Sequence, residues 1–154
     1  MKAFYHSDKR LLGEIMTNIN YMDLIEKATY ARVNAYAPYS GYKVGAALLC
    51  SDGTVFKGAN IENSAYSETV CAERVAFFHA ISKGGDRRDF KAIAIVGGKG
   101  SKITEFAYPC GSCRQVMSEF CSDKFKVILY DGKDVKVTTL GKLLPDNFGA
   151  KNLK

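Results

Sequence analysis

The sequence predicts an α/β domain in which a mixed β-sheet is covered by helices. Three observations predict it. Helical and strand patterns alternate along most of the chain, and the first two strand patterns are joined by a tight turn. The segments "VGAALLC" and "KAIAIVGG" are apolar almost without interruption, as strands buried on both faces are. A chain of 154 residues is about one domain long and buries a real core without staples.

Each element follows from its own pattern. Residues 1–18 show no clear period and read as an N-terminal extension to a catalytic domain over 19–149, with 150–154 as a tail. From Tyr21, apolar residues recur at Leu24, Ile25, Ala28, Ala31 and Ala35, a helical spacing that ends at Ala37-Pro38 because the residue before proline is driven out of the helical region. "YSGYK" is a turn and "VGAALLC" a strand. Ser51-Asp52-Gly53 is a hairpin turn into a second strand, "TVFKGANIE". The loop "NSAYSET" leads to the helix "CAERVAFFHAIS", stopped by Gly84-Gly85. "KAIAIVGG" runs as a third strand into a loop rich in Gly and Lys. "PCGSCRQVMSEFC" is the next helix, with Val116, Met117 and Phe120 on one face. "KVILYD" and "VKVTTL" are two more strands, and "LGKLLPDNF" a short terminal helix and tail.

Composition narrows the function classes. No apolar run approaches the roughly 20 residues of a membrane helix. The N-terminal segment lacks the apolar stretch of a signal peptide, and Asp8 and Glu14 argue against a transit peptide, so the expected compartment is the cytoplasm. Net charge is +6, but the basic residues are scattered and form no stripe, which reads as a solvated surface and not a nucleic-acid face.

Five cysteines, an odd number in a chain expected in the cytosol, point away from a disulfide framework and toward metal or catalysis. Cys50 and Cys121 read as ordinary buried thiols. Cys71 opens one helix, and Cys110 and Cys113 fall in the first turn of the next. Unpaired N–H groups and the positive end of the helix dipole favour thiolates there. A lone C-x-x-C serves redox pairs, structural zinc and catalytic metal alike. If the two helix starts lie side by side, three sulfurs converge, and three protein ligands with one open position mark a catalytic zinc, whereas structural zinc takes four. No fourth ligand stands at a sensible spacing. His79 is two turns along the helix from Cys71, about 12 Å by helical rise, and His6 lies in the extension. The missing ligand leaves room for water.

Glu73 stands two residues after Cys71, so its carboxylate reaches the open face without being a ligand. Alone, it reads as a first-turn glutamate suited to the helix dipole. Together with P-C-x-x-C downstream, C-x-E matches the paired signature of zinc-dependent nucleobase deaminases, in which the carboxylate shuttles protons. Zinc with three thiolates is net negative, a charge that blunts a Lewis acid, and Arg74 is placed to draw some of it back.

"YAPYSGYKVGAALL", "GANIEN", "CAER", "PCGSCRQ" and "LLPDNF" together resemble the short zinc-dependent cytidine deaminases, in order and spacing, from Tyr21 to Phe148. The resemblance implies a three-layer α/β/α sandwich around a five-stranded mixed sheet, and a homotetramer with one zinc per subunit and active sites at subunit interfaces. It implies hydrolysis of cytidine and 2′-deoxycytidine to uridine and 2′-deoxyuridine with release of ammonia, in pyrimidine salvage. By the same resemblance Cys71, Cys110 and Cys113 are the zinc ligands and Glu73 the proton shuttle, with backbone groups near Ala72 at the reacting centre. Asn60 and Glu62 hold the ribose hydroxyls, and Tyr42 stands against the base where the family usually has phenylalanine. Phe148 reaches a substrate site across a subunit interface, and Tyr66 lies in an interface loop.

A carboxylate against the 3′-hydroxyl repels a 3′-phosphate, so a polynucleotide substrate is not expected. The chain departs from the family in "NSAYS" for "NASYG", in Glu68 near Cys71, and in the Tyr42 hydroxyl, which needs a partner if buried. A related deaminase acting on blasticidin S is the nearest rival. A thioredoxin-type redox site leaves Cys71 and Glu73 unexplained, and a non-catalytic zinc module requires a filled fourth position.

Overall fold

A computed structural model describes residues 19–84 and 89–153. The expected extension, residues 1–18, lies outside them, as does Gly85. Helix α1 is Tyr21–Arg32, opened by Asn20, whose side chain accepts from the Asp23 N–H. Strands β1 (Tyr42–Cys50) and β2 (Val55–Ala59) form the hairpin. A 3₁₀ turn at Tyr66–Glu68 precedes α2 (Ala72–Gly84), then β3 (Phe90–Lys99), α3 (Gly111–Phe120), β4 (Lys126–Tyr130), β5 (Val135–Thr139) and the one-turn α4 (Leu140–Leu143). The helical spacing had run on to Ala35. The α-helix instead stops at Arg32, and Val33, Asn34 and Ala35 close tighter turns onto the carbonyls three residues back.

The five strands lie in the order β2-β1-β3-β4-β5, with β3 and β4 parallel and the other pairs antiparallel. The sheet is mixed and has helices on both faces, as expected. The apolar runs split by the period of two. On β3, Ala92, Ala94 and Val96 face α1, where Leu24, Ile25 and Ala28 pack. Ile93 and Ile95 face the other way and meet α2 and α3 through Ala76, Phe77, Cys113 and Met117.

Two glycines set the helix–sheet distances. A Cβ on Gly45 would stand 2.0 Å from the Ala28 carbonyl oxygen, so α1 lies directly on β1. A Cβ on Gly58 would stand 2.2 Å from the Ala72 carbonyl oxygen, so the first turn of α2 lies directly on β2.

Topology places the site. Both β2 and β3 run antiparallel to β1, so β2, β3 and β4 point the same way. Helices α2 and α3 follow β2 and β3, and both therefore begin at the carboxyl end of the sheet, where open α/β sheets build their ligand sites. The start of β1 arrives there too, since Tyr42 pairs with Lys99 at the end of β3.

Candidate metal centre and active site

At that end the three sulfurs meet. Cys71 immediately precedes α2, Cys110 is the N-cap of α3, and Cys113 sits in its first turn. The Sγ atoms are 3.9 Å apart for Cys71 and Cys110, and 3.6 Å apart for Cys110 and Cys113. All three lie within 4.8 Å of one another. Tetrahedral zinc with Zn–S near 2.3 Å separates its sulfurs by about 3.8 Å, so the spacing fits that ion. Among the described residues no fourth ligand joins the group.

The charges around the sulfurs fit a cation as well. Cys71 is pulled down to about 5, first by the Cys113 thiol donating to it and then by Arg74. Cys113 is pushed well above the ordinary thiol range by that same bond, by burial and by Glu73. The group thus sheds its first proton easily and resists losing the next, a resistance that a bound cation removes. Arg74 Nη2 donates to the Thr69 carbonyl at 3.0 Å and to Cys71 Sγ at 3.8 Å. Its Nε is buried with no hydrogen-bond partner. Burial alone would lower the Arg74 pKa, but the Cys71 and Cys113 sulfurs outweigh it and hold the group above its usual value.

Glu73 is 4% exposed on the first turn of α2. Burial, reinforced by the Cys71 charge, raises its carboxyl to about 7, where it both takes and gives protons near neutral pH. It lines a cleft of about 430 Å³ together with Cys71, Cys110, Tyr42, Asn60, Glu62 and other side chains. That is a volume typical of small-molecule sites, roughly 300–1,000 Å³.

Asn60 and Glu62, expected at the sugar, lie in this cleft and also brace it. The Asn60 amide accepts from the Val44 N–H at 2.8 Å and donates to the Tyr42 carbonyl at 2.9 Å, which leaves one N–H and one lone pair for a ligand. Glu62 accepts from the Ser40 hydroxyl and from the N–H groups of Tyr39 and Ser40. Those bonds, the Ser40 hydroxyl foremost, hold its carboxyl below the usual range, so it stays an acceptor. Ala72 is fully buried at the start of α2. Tyr66 and Phe148 do not line the cleft. They are 66% and 62% exposed; Tyr66 makes an edge contact with Tyr39, and the Phe148 carbonyl accepts from Gln115.

Two residues of this region escaped sequence reasoning. Glu105 lines the cleft beside Tyr42, and its carboxylate acts on the Tyr42 phenol. Arg32 holds the loop that carries Glu105. Its signal was readable, because an arginine four residues after Ala28 falls on the buried stripe of α1. Glu105 had no local signal.

A second group of possible ligands, Cys50, Asp52 and Asp89, lies at the opposite end of the sheet, away from Glu73. Asp52 there accepts from the Thr54 N–H inside the hairpin turn.

With this geometry stand the comparisons. Residues 19–129 match the model of the cytidine and deoxycytidylate deaminase zinc-binding region. A cytidine deaminase of Sporosarcina psychrophila is 50% identical over 131 residues, 84% of this chain and 92% of its own length. The crystal structure of a cytidine deaminase from Burkholderia pseudomallei superposes with a TM-score of 0.78 at 47% identity, over 84% of this chain and all of that one. A blasticidin-S deaminase of Bacillus cereus is more distant, 33% identical over 128 residues, 80% of this chain and 89% of its own.

Proposed function

We infer the function in detail from one premise: the chain belongs to the cytidine and deoxycytidylate deaminase family. It is a hydrolase that converts cytidine and 2′-deoxycytidine to uridine and 2′-deoxyuridine and releases ammonia. One observation carries the assignment of the chemistry to particular residues. Three sulfurs with no fourth protein ligand among the described residues stand in a cleft beside a buried carboxyl group.

Cys71, Cys110 and Cys113 would hold one zinc ion per subunit. When bound, zinc supplies the Lewis acidity that makes water a nucleophile near neutral pH. Glu73 takes a proton from the attacking water and delivers it to N3 of the base. The new C4–O bond forms at the carbon from which the amino group departs. Glu73 then takes the proton of the new C4 hydroxyl and hands it to the amino nitrogen, and the C4–N bond breaks as ammonia leaves and the C4 carbonyl forms. Ala72 offers its backbone beside the reacting carbon. Arg74 draws charge from the sulfurs and keeps the centre electrophilic. The Tyr42 ring meets the flat base, while Glu62 and the free half of the Asn60 amide take the ribose hydroxyls.

The exposed Tyr66 and Phe148 support a homotetramer in which each completes a neighbour's site. Among the described residues no helix is long and apolar enough to cross a membrane, and we place the enzyme in the cytoplasm, in pyrimidine salvage.

The decisive experiment follows the fall in cytosine absorbance and the release of ammonia with zinc-loaded protein. Turnover of cytidine, its loss on chelation and its return with zinc are expected. Bound zinc with no turnover of either nucleoside overturns the substrate, and blasticidin S is then the next to try.

Glu62→Gln keeps the size of the side chain and loses the charge that accepts from a hydroxyl. A charged hydrogen bond contributes about 1.5–3 kcal/mol, which corresponds to a rise in KM of about 10- to 150-fold. An unchanged KM would remove Glu62 from the sugar site.

A further inference from the structure

The loop after β3 is built around a buried cation. Arg32 is 6% exposed, and its guanidinium donates to five backbone carbonyls. They belong to Lys43 (2.8 Å), Gly98 (2.7 Å), Gly100 (2.9 Å), Ser101 (3.2 Å) and Lys102 (2.8 Å). The planar fork of an arginine reaches several acceptors at once, which a lysine cannot do. Gly100, at φ 58°, supplies the left-handed residue that turns the loop, and its N–H donates to the Gly41 carbonyl. Segment 98–102 is thereby tied to the end of α1 and to the start of β1.

The loop then returns along the sheet. Glu105 forms an isolated antiparallel bridge to Gly97, which sets its side chain at the cleft. The Tyr42 ring lies close over Gly97, since a Cβ there would stand 3.1 and 3.2 Å from two of its atoms. The Tyr42 hydroxyl stands over Gly97, with which Glu105 pairs, so the phenol and the carboxylate share one edge of the cleft. Burial and then the Glu105 carboxylate push the phenol up to about 12, so it stays protonated at any working pH. Gly97 thus lies beneath the ring, with Glu105 beside it in the cleft.

We propose that Glu105 is a positioning residue for substrate binding: presented by the Arg32-held loop, its carboxylate holds the Tyr42 hydroxyl and fixes the ring that receives the base. This rests on the nucleoside reading given above. Glu105 acts through Tyr42 and not on the reacting atoms, so its effect falls on affinity and leaves the proton transfers at Glu73 alone.

The test uses the full zinc-loaded enzyme with Tyr42→Phe, Glu105→Gln and the double variant. Three quantities are read: steady-state constants for cytidine, the inhibition constant of the product uridine, and ultraviolet titration of the phenols. Each single variant should raise KM and the uridine constant by about 3- to 10-fold, the value of one hydrogen bond. Turnover number and zinc content should stay within twofold of the wild type. The double variant should be no worse than the weaker single, because the same bond is lost once. In Glu105→Gln one phenol should titrate earlier.

Arg32→Lys should raise KM in the wild type and add little beside Glu105→Gln. If that variant does not fold, the Tyr42 and Glu105 variants decide alone. Unchanged KM in both single variants, effects that multiply in the double, a loss confined to kcat, or an unmoved phenol titration would each overturn the proposal. A wild type inert toward cytidine strikes the nucleoside reading first and removes the substrate role given to Glu105 with it. An active wild type with an indifferent Glu105→Gln strikes this proposal alone.

Discussion

Glu73→Gln is expected to fold, bind zinc and lose turnover by about 10⁴-fold, the upper end for a single acid–base group. The size follows from two features. In the proposed mechanism the carboxyl serves twice, taking a proton from water and passing one to the leaving nitrogen, so one substitution removes both transfers. It is also almost fully buried, and bulk water has little access to replace it. Glutamine fills the same volume and cannot carry a proton. A metal assay beside the kinetics separates this loss from loss of zinc. Turnover near the wild-type rate with zinc in place would take Glu73 out of the mechanism.

Gly58→Ala is expected to damage both stability and activity, although Gly58 touches no substrate. The added carbon meets the Ala72 carbonyl oxygen at 2.2 Å and the Ala76 nitrogen at 2.5 Å, both backbone atoms of α2. No side-chain rotation relieves that contact, so the helix must lift from the strand. Overpacking of this kind costs about 1–3 kcal/mol and sometimes more. The turn that lifts carries Cys71 at its start and Glu73 within it, and a displacement of about 1 Å at reacting groups costs about 100-fold in rate. Urea unfolding and kcat/KM should fall together. Gly111→Ala is the control, since that position is next to Cys110 yet open, with nothing within 4 Å of a new Cβ. Equal damage at both positions would mean that close approach is not the cause.

What could be read from the sequence divides along physical lines. The three cysteines and Glu73 were legible because each lies at a helix start, within a residue or two of its neighbours in the motif. The strands buried on both faces were legible because an uninterrupted apolar run has few other uses. Glu105 was not, because it reaches Tyr42 through the pairing of β1 with β3, across more than sixty positions, and no local period encodes such a meeting. Asn60 was read as a ligand for sugar. Its amide is half committed to the backbone of β1, a bond that depends on how sharply the chain turns after β2. Tyr66 and Phe148 stand outside the cleft of their own chain, where motif position alone had linked them to a substrate site.

The common direction of β2 and β3 bears on how the protein is made. Cys110 and Cys113 are neighbours in any conformation, since only two residues separate them, but Cys71 joins them only after β3, which lies between them in the sequence, has paired with β1. Closing that long loop is the slow, non-local part of assembly. With zinc held as proposed, metal capture is a late event: a nascent or refolding chain offers the ion two sulfurs early and the third only when the central strands are in register. Time-resolved zinc uptake during refolding should then show a weak early phase and a tight phase whose rate equals that of sheet formation, so the metal serves as a timer of the fold it completes.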